Sequence, residues 1–143
     1  MATLWVRHAP ASAAVARRSV SAAFEQAGVT ADEAYDAALI ASELVGNAVR
    51  HGLPLPSGHI AVDWSLDGAS YRISVTDGGR APQIEPRSAA VQDTSGRGLM
   101  IVAALASQWG VDSDGPGTRV WVVGVLSRPT DRRDDDPSLQ SVS

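Results

Sequence analysis

The chain contains no cysteine and no lysine. Without cysteine there are no disulfides and no thiolate metal ligands, and a reducing compartment suits it. Without lysine a Walker A loop has no ammonium to reach the β- and γ-phosphates, so a P-loop NTPase is excluded, and Schiff-base chemistry is excluded with it. All twelve basic side chains are arginine. A basic excess is missing too: the net charge is -4 and the pI about 5.2, against a direct nucleic-acid binder. No apolar run approaches the roughly 18 residues of a membrane span, and the N-terminus lacks the charged and apolar regions of a secretion signal. These absences predict a cytoplasmic protein with no membrane segment.

What is present is an ordinary globular balance, 44% hydrophobic and 20% charged over 143 residues, enough for one domain with a real core. "TLWVRHA" (3–9) alternates apolar and polar residues and reads as a strand closed by Pro10. Residues 11–27 read as an Ala-rich helix with Gly28 at its end. Thr30 and Glu33 form a capping-box pattern that opens a second helix, running to about His51 and stopping at Gly52 before Pro54 and Pro56. "HIAVDWSLDG" and "ASYRISVTDGG" are two strands joined at Asp67-Gly68, a strong hairpin signal. A polar stretch over 79–95 follows, then a third helix expected at 97–108, with Leu99, Val102, Leu105 and Ala106 on one side. "WGVDSD" and "GTRVWVVGVL" read as a closing hairpin through Gly115-Pro116-Gly117. The charged segment 127–143 is expected to be a disordered tail, leaving residues 1–126 as the domain. Strands that cluster in such pairs predict an α+β two-layer sandwich, a mixed, mostly antiparallel sheet with helices on one face.

Three segments carry chemistry. In the second helix Glu43 and Asn47 stand at i and i+4, hence on one face. Either that face is simply solvated, or a carboxylate and an amide line a cleft. In the second case Glu43 can orient or deprotonate a hydroxyl, and the Asn47 oxygen is a hard ligand suited to Mg²⁺. "VTDGGRAP" (75–82) places Asp77 at the end of an apolar strand, followed by Gly78 and Gly79. It is either a turn with an Asx cap or a carboxylate accepting from an exocyclic amine beside glycines that admit a flat ligand. "SGRGLMIV" (95–102) leads glycines into a helix, either an ordinary junction or free N–H groups presented to phosphates.

In this order the three segments resemble the GHKL ATPase superfamily, the Bergerat ATP-binding fold of gyrase, heat-shock chaperones and sensor histidine kinases. Glu43-x-x-x-Asn47 looks like its N box, Asp77-Gly78-Gly79 the first Gly box, and Gly96-Arg97-Gly98-Leu99 the second. "GTRVWV" looks like the closing strand whose Thr118 sits near adenine. The likeness spans roughly residues 1–126. At 143 residues a histidine-bearing dimerisation domain, a transducer or a sensor is not expected alongside this domain. "SELVGNAVRHG" and "GRGLMIVAALASQWGV" look most like the branch of anti-sigma factors that are also serine/threonine kinases.

The resemblance implies ATP and Mg²⁺ as cofactors. By it Asn47 would bind Mg²⁺ and Glu43 would activate the partner's hydroxyl. Asp77 would read the adenine amino group, Gly79 would border the base, and Gly96 and Gly98 would cradle phosphates, with Arg97 and Leu99 in the same box. The implied partners are a sigma factor and an anti-sigma factor antagonist, whose Ser or Thr accepts the γ-phosphoryl group; a homodimer is compatible. Arg80, Arg87 and Arg97 lie in or beside the lid and are either phosphate ligands or solvated loop residues. His51, at the helix end, is either catalytic or, as expected, faces the dipole, and His8 and His59 are expected to be structural. The sequence departs from the pattern at Ala81, where the first Gly box commonly ends in Gly, and this favours the alternative of a non-enzymatic module that sequesters a partner.

Overall fold

The computed structural model describes residues 1–79, 102, 105–113 and 117–127. Elements run in the order β1 (Ala2–Arg7), α1 (Ser12–Gln26), α2 (Ala31–His51), β2 (His59–Asp67), β3 (Ser70–Asp77), β4 (Gln108–Asp112) and β5 (Thr118–Val125). The strands form one sheet in the order β1-β2-β3-β5-β4, and all four pairings are antiparallel. Helices α1 and α2 lie over one face. The expected α+β two-layer sandwich is therefore the observed architecture, with β3 at the centre of the sheet.

Strand alternation divides the two faces. Ile60, Val62, Leu66, Tyr71, Ile73, Val75 and Val122 point toward the helices and are buried. They meet Val20 and Phe24 of α1 and Ala37, Ile40, Ala41, Leu44 and Val45 of α2 in one core. Phe24 and Tyr71 meet edge to face at 5.3 Å, joining α1 to β3. Burial there, with Asp36 and Glu33 adding negative charge, pushes the Tyr71 phenol up to about 12. On the other face Arg72 stacks over Trp121 at 5.0 Å.

Local chemistry sets the helix ends. Gly28, at φ +91°, supplies the left-handed residue after α1. Thr30 is extended, and its hydroxyl oxygen accepts the Glu33 N–H at 3.2 Å while donating to the Glu33 carboxylate at 3.0 Å. The other Glu33 carboxylate oxygen accepts the Ser127 N–H at 2.6 Å, and this bond holds the carboxyl below its usual range. Thr30→Ala removes the cap and the hydroxyl's bond to the Glu33 carboxylate, leaving the Ser127 bond in place. It is expected to cost about 1 kcal/mol, read as a lower midpoint in urea unfolding with an unchanged slope.

Two expectations shift. The β2–β3 loop is Gly68-Ala69 rather than Asp67-Gly68, because Asp67 already pairs with Ser70. Gly68 at φ +62° takes the first central position, as a type II′ turn requires. The third helix does not reach residue 108. Val102 and Leu105 are helical and the Ala106 N–H bonds the Val102 carbonyl at 2.9 Å, but Gln108 belongs to β4 and pairs with Val123. Leu126 is buried and Ser127 is bonded to Glu33; the rest of the expected tail lies outside the described residues. No helix among the described residues is long and apolar enough to cross a membrane.

Candidate functional site

The C-terminal end of α2 lies over the point where central strand β3 ends and β5 begins. Asp77, the last residue of β3, stands in register with Thr118, the first of β5. Four α2 residues at i, i+3, i+4 and i+7 spacing, Leu44, Asn47, Ala48 and His51, face these strand ends. Together with Gly52, Val75, Asp77, Gly79, Thr118 and Val120 they line a cleft of about 380 Å³, its open mouth included. The walls are apolar at Leu44, Val75 and Val120. The polar groups converge at Asn47, Asp77 and Thr118, which are 6%, 7% and 2% exposed. An apolar cleft with a few converging polar groups is the usual form of a small-molecule site.

Asp77 is the electrostatic centre. Burial pushes its carboxyl above the usual range; N–H groups of Gly79 and Leu53 and the charge of His8 oppose that rise. The Gly79 N–H donates to its Oδ1 at 2.7 Å, and the Thr118 hydroxyl donates to the Gly79 carbonyl at 2.6 Å. The Gly78 N–H donates to the Leu53 carbonyl at 2.7 Å, tying the strand end to the chain leaving α2. Glycine is required at these approaches. A Cβ on Gly52 would fall 2.3 Å from Asp77 Oδ2, and one on Gly78 would fall 2.2 Å from the Pro54 carbonyl oxygen.

The structure thus brings together Asn47, Asp77, Gly79 and Thr118 of the residues singled out from the sequence. Glu43 is half-buried one turn before Asn47 and is not among the residues lining the cleft. Gly96, Arg97, Gly98 and Leu99, with Arg80, Ala81 and Arg87, lie outside the described residues. Sequence reasoning set one contributor aside and missed two others. His51 lines the cleft as well as ending the helix. Gly52, read only as a helix stop, also makes room for the Asp77 carboxylate. His8 reaches over from the end of β1, its Nε2 lying 3.2 Å from both the Ala48 and Gly52 carbonyl oxygens. The His-Gly pair closing the polar helix was a signal for the first two; nothing in the local pattern marked His8.

A five-stranded antiparallel sheet under a helix layer, with a buried carboxylate at the end of its central strand, fits a GHKL-type domain of the Bergerat fold. Residues 6–123 match the family model described as "Histidine kinase-like ATPase domain", and the chain belongs to that family. Among solved structures, it is similar to the blue-light activated histidine kinase of Erythrobacter litoralis EL346. That match has a TM-score of 0.52 and 24% identity, covering 69% of this chain and 32% of the kinase. The separate histidine kinase domain of the same protein matches with a TM-score of 0.54 and 23% identity, over 80% of this chain and 61% of that domain. These likenesses concern the fold. An uncharacterized protein of Streptomyces coelicolor is 42% identical over 62 residues, 43% of this chain. The match spans about half of that relative's length, 49%.

Proposed function

We propose that this domain binds Mg-ATP in the cleft and acts as an anti-sigma factor that is also a serine/threonine protein kinase, phosphorylating an anti-sigma factor antagonist. The observation that carries the nucleotide part is Asp77, an acceptor buried at the strand end among glycines that leave no room for a Cβ. A purine base with an exocyclic amine meets the requirements of such a wall: a hydrogen-bond donor for the carboxylate and a flat shape between apolar side chains. The buried Asn47 amide, on the same cleft, offers the hard oxygen that Mg²⁺ takes. Gly96, Arg97, Gly98 and Leu99 are assigned to the phosphate end by family resemblance.

Mg-ATP, when bound, supplies the transferable γ-phosphoryl group and the cation that neutralises its charge. The chain's own residues do the rest. Asp77 and the glycines at 78 and 79 orient the base, Leu44, Val75 and Val120 exclude water from it, and Asn47 holds the metal. Glu43, beside the cleft rather than in its wall, is assigned by family resemblance to receive the proton of an incoming Ser or Thr hydroxyl from a docked protein. Unphosphorylated antagonist and a sigma factor would compete for the domain. A cytoplasmic location follows from such partners, and a homodimer is compatible with it. Ala81 favours the second reading, a nucleotide-binding module that sequesters a partner without transferring phosphate.

Two substitutions separate these readings. Asn47→Ala is expected to abolish saturable Mg-ATP binding in calorimetry. Glu43→Ala is expected to keep the affinity and to lower phosphoryl transfer to an antagonist by about 10²-fold or more, the worth of a general base. Normal Mg-ATP binding by Asn47→Ala would sink the metal assignment. Wild-type protein that binds nucleotide yet labels no antagonist would support the sequestering module.

A further inference from the structure

We propose that His8 is a positioning residue of the base pocket, its imidazole holding the Gly52 corner against which the Asp77 carboxylate is seated. The inference rests on the nucleotide reading above. His8 follows β1, an edge strand two positions away from β3 in the sheet, yet its ring ends at the back of the site. Both groups that Nε2 meets are carbonyl oxygens, at 3.2 Å each, and carbonyls only accept, so Nε2 carries the proton and donates to both. The Ala48 carbonyl also accepts the Gly52 N–H at 2.8 Å. Gly52 is therefore held at its N–H by the helix end and at its carbonyl by the imidazole.

That corner is in direct contact with the recognition group. Gly52 is extended, at φ -100° and ψ -171°, and its Cα faces Asp77 so closely that a Cβ would collide with the carboxylate. The next residue acts from both ends: its N–H bonds the Asp77 carboxylate and its carbonyl accepts the Gly78 N–H. A shift of Gly52 thus moves the contacts that aim Asp77. The helix C-terminus strengthens the hold, because its carbonyls carry partial negative charge toward the donor. The charge of His8 also favours the ionised carboxylate that an amine would meet.

The test compares Mg-ADP with Mg-IDP, which differ at the exocyclic amine of the base, by calorimetry on the full chain, with circular dichroism to confirm folding. Wild-type protein is expected to prefer ADP. His8→Phe keeps the ring's bulk but has no donor, and is expected to weaken ADP about five-fold, one hydrogen bond's net worth, while IDP changes little. His8→Gln, which restores a donor near the Nε2 position, is expected to recover the preference. A full ADP preference in His8→Phe, or an equal loss for both nucleotides, would overturn the proposal, since a purely structural histidine does not distinguish bases. If His8→Phe does not fold, His8→Asn, too short to span both carbonyls, decides: a loss of ADP preference supports the proposal and full retention overturns it. Wild-type protein binding neither nucleotide would overturn the nucleotide reading, and this inference with it.

Discussion

Asp77→Asn is expected to lower nucleotide affinity by about 10²-fold or more without loss of stability at neutral pH. The loss of affinity follows from replacing an acceptor by a donor. A charged hydrogen bond to the base amine is worth about 1.5–3 kcal/mol, and a buried amide left facing another amine adds a desolvation cost of similar size. Stability behaves differently because this carboxylate is buried at a cost. Its folded-state pKa is raised above the ordinary 3.8, with burial as the largest cause. A group raised in this way contributes its full stability below the unfolded value and loses it as pH rises through the folded value. Ionised Asp77 is therefore a liability at neutral pH, and asparagine removes it while keeping one oxygen that can accept from the Gly79 and Leu53 N–H groups. Melting temperatures of the two proteins, measured from pH 3.5 to 7.5, are expected to diverge in the variant's favour above pH 3.8. A variant whose relative stability fell with rising pH would show that Asp77 is held by favourable charge interactions instead.

The second large effect is expected at Gly117, just before β5. A Cβ there would lie 1.8 Å from the Asp77 carbonyl oxygen, 2.9 Å from its carbonyl carbon and 3.2 Å from the Gly78 Cα. All three are backbone atoms, so no side chain can swing aside. Gly117→Ala must separate the end of β3 from the start of β5, where Asp77 pairs with Thr118 and the Thr118 hydroxyl holds the Gly79 carbonyl. The expected outcome is a loss of about 1–3 kcal/mol or more, with nucleotide affinity falling alongside. Gly58→Ala is the control. Gly58 has φ +88° but nothing within 4 Å of its would-be Cβ, and it lies outside the cleft. Its substitution is expected to cost about 1–2 kcal/mol of backbone strain and to leave binding unchanged. Denaturant midpoints and calorimetry on the same samples separate the two cases. Equal nucleotide affinity in Gly117→Ala and wild type would show that the strand junction is not part of the site.

Both predictions turn on a strand junction whose position was half legible in advance. The second helix was, because its signals are local: Thr30 and Glu33 at one end, Gly52 and two prolines at the other. The β2–β3 hairpin was displaced by one residue, since Asp67-Gly68 is an equally good turn until Asp67 is seen to pair with Ser70. The third helix was overextended because Ser107 and Gln108 carry no stop signal of their own. What ends the helix there is long-range: the Ser107 N–H bonds the Val123 carbonyl, and Gln108 joins the sheet. Helix periodicity cannot report a strand pairing with a partner fifteen residues away.

The site divides in the same way. By itself the sequence determined the two-layer α+β class with a mostly antiparallel sheet, because strand pairs and helix caps are encoded at short spacing, and it carried the polar helix face and the Asp-Gly-Gly strand end as separate signals that family resemblance joined into one site. Only the tertiary structure decided which of those groups meet. It turned Asn47 into the cleft with Leu44, Ala48 and His51, and left Glu43 at the side, although both occupy one helical face. It also recruited His8 from an edge strand and gave Gly52 its second purpose. The physical reason is that hydrogen bonds to main-chain carbonyls and the missing volume of a Cβ depend on where backbones cross, and those crossings are set by packing the whole core rather than by any residue's neighbours in the chain.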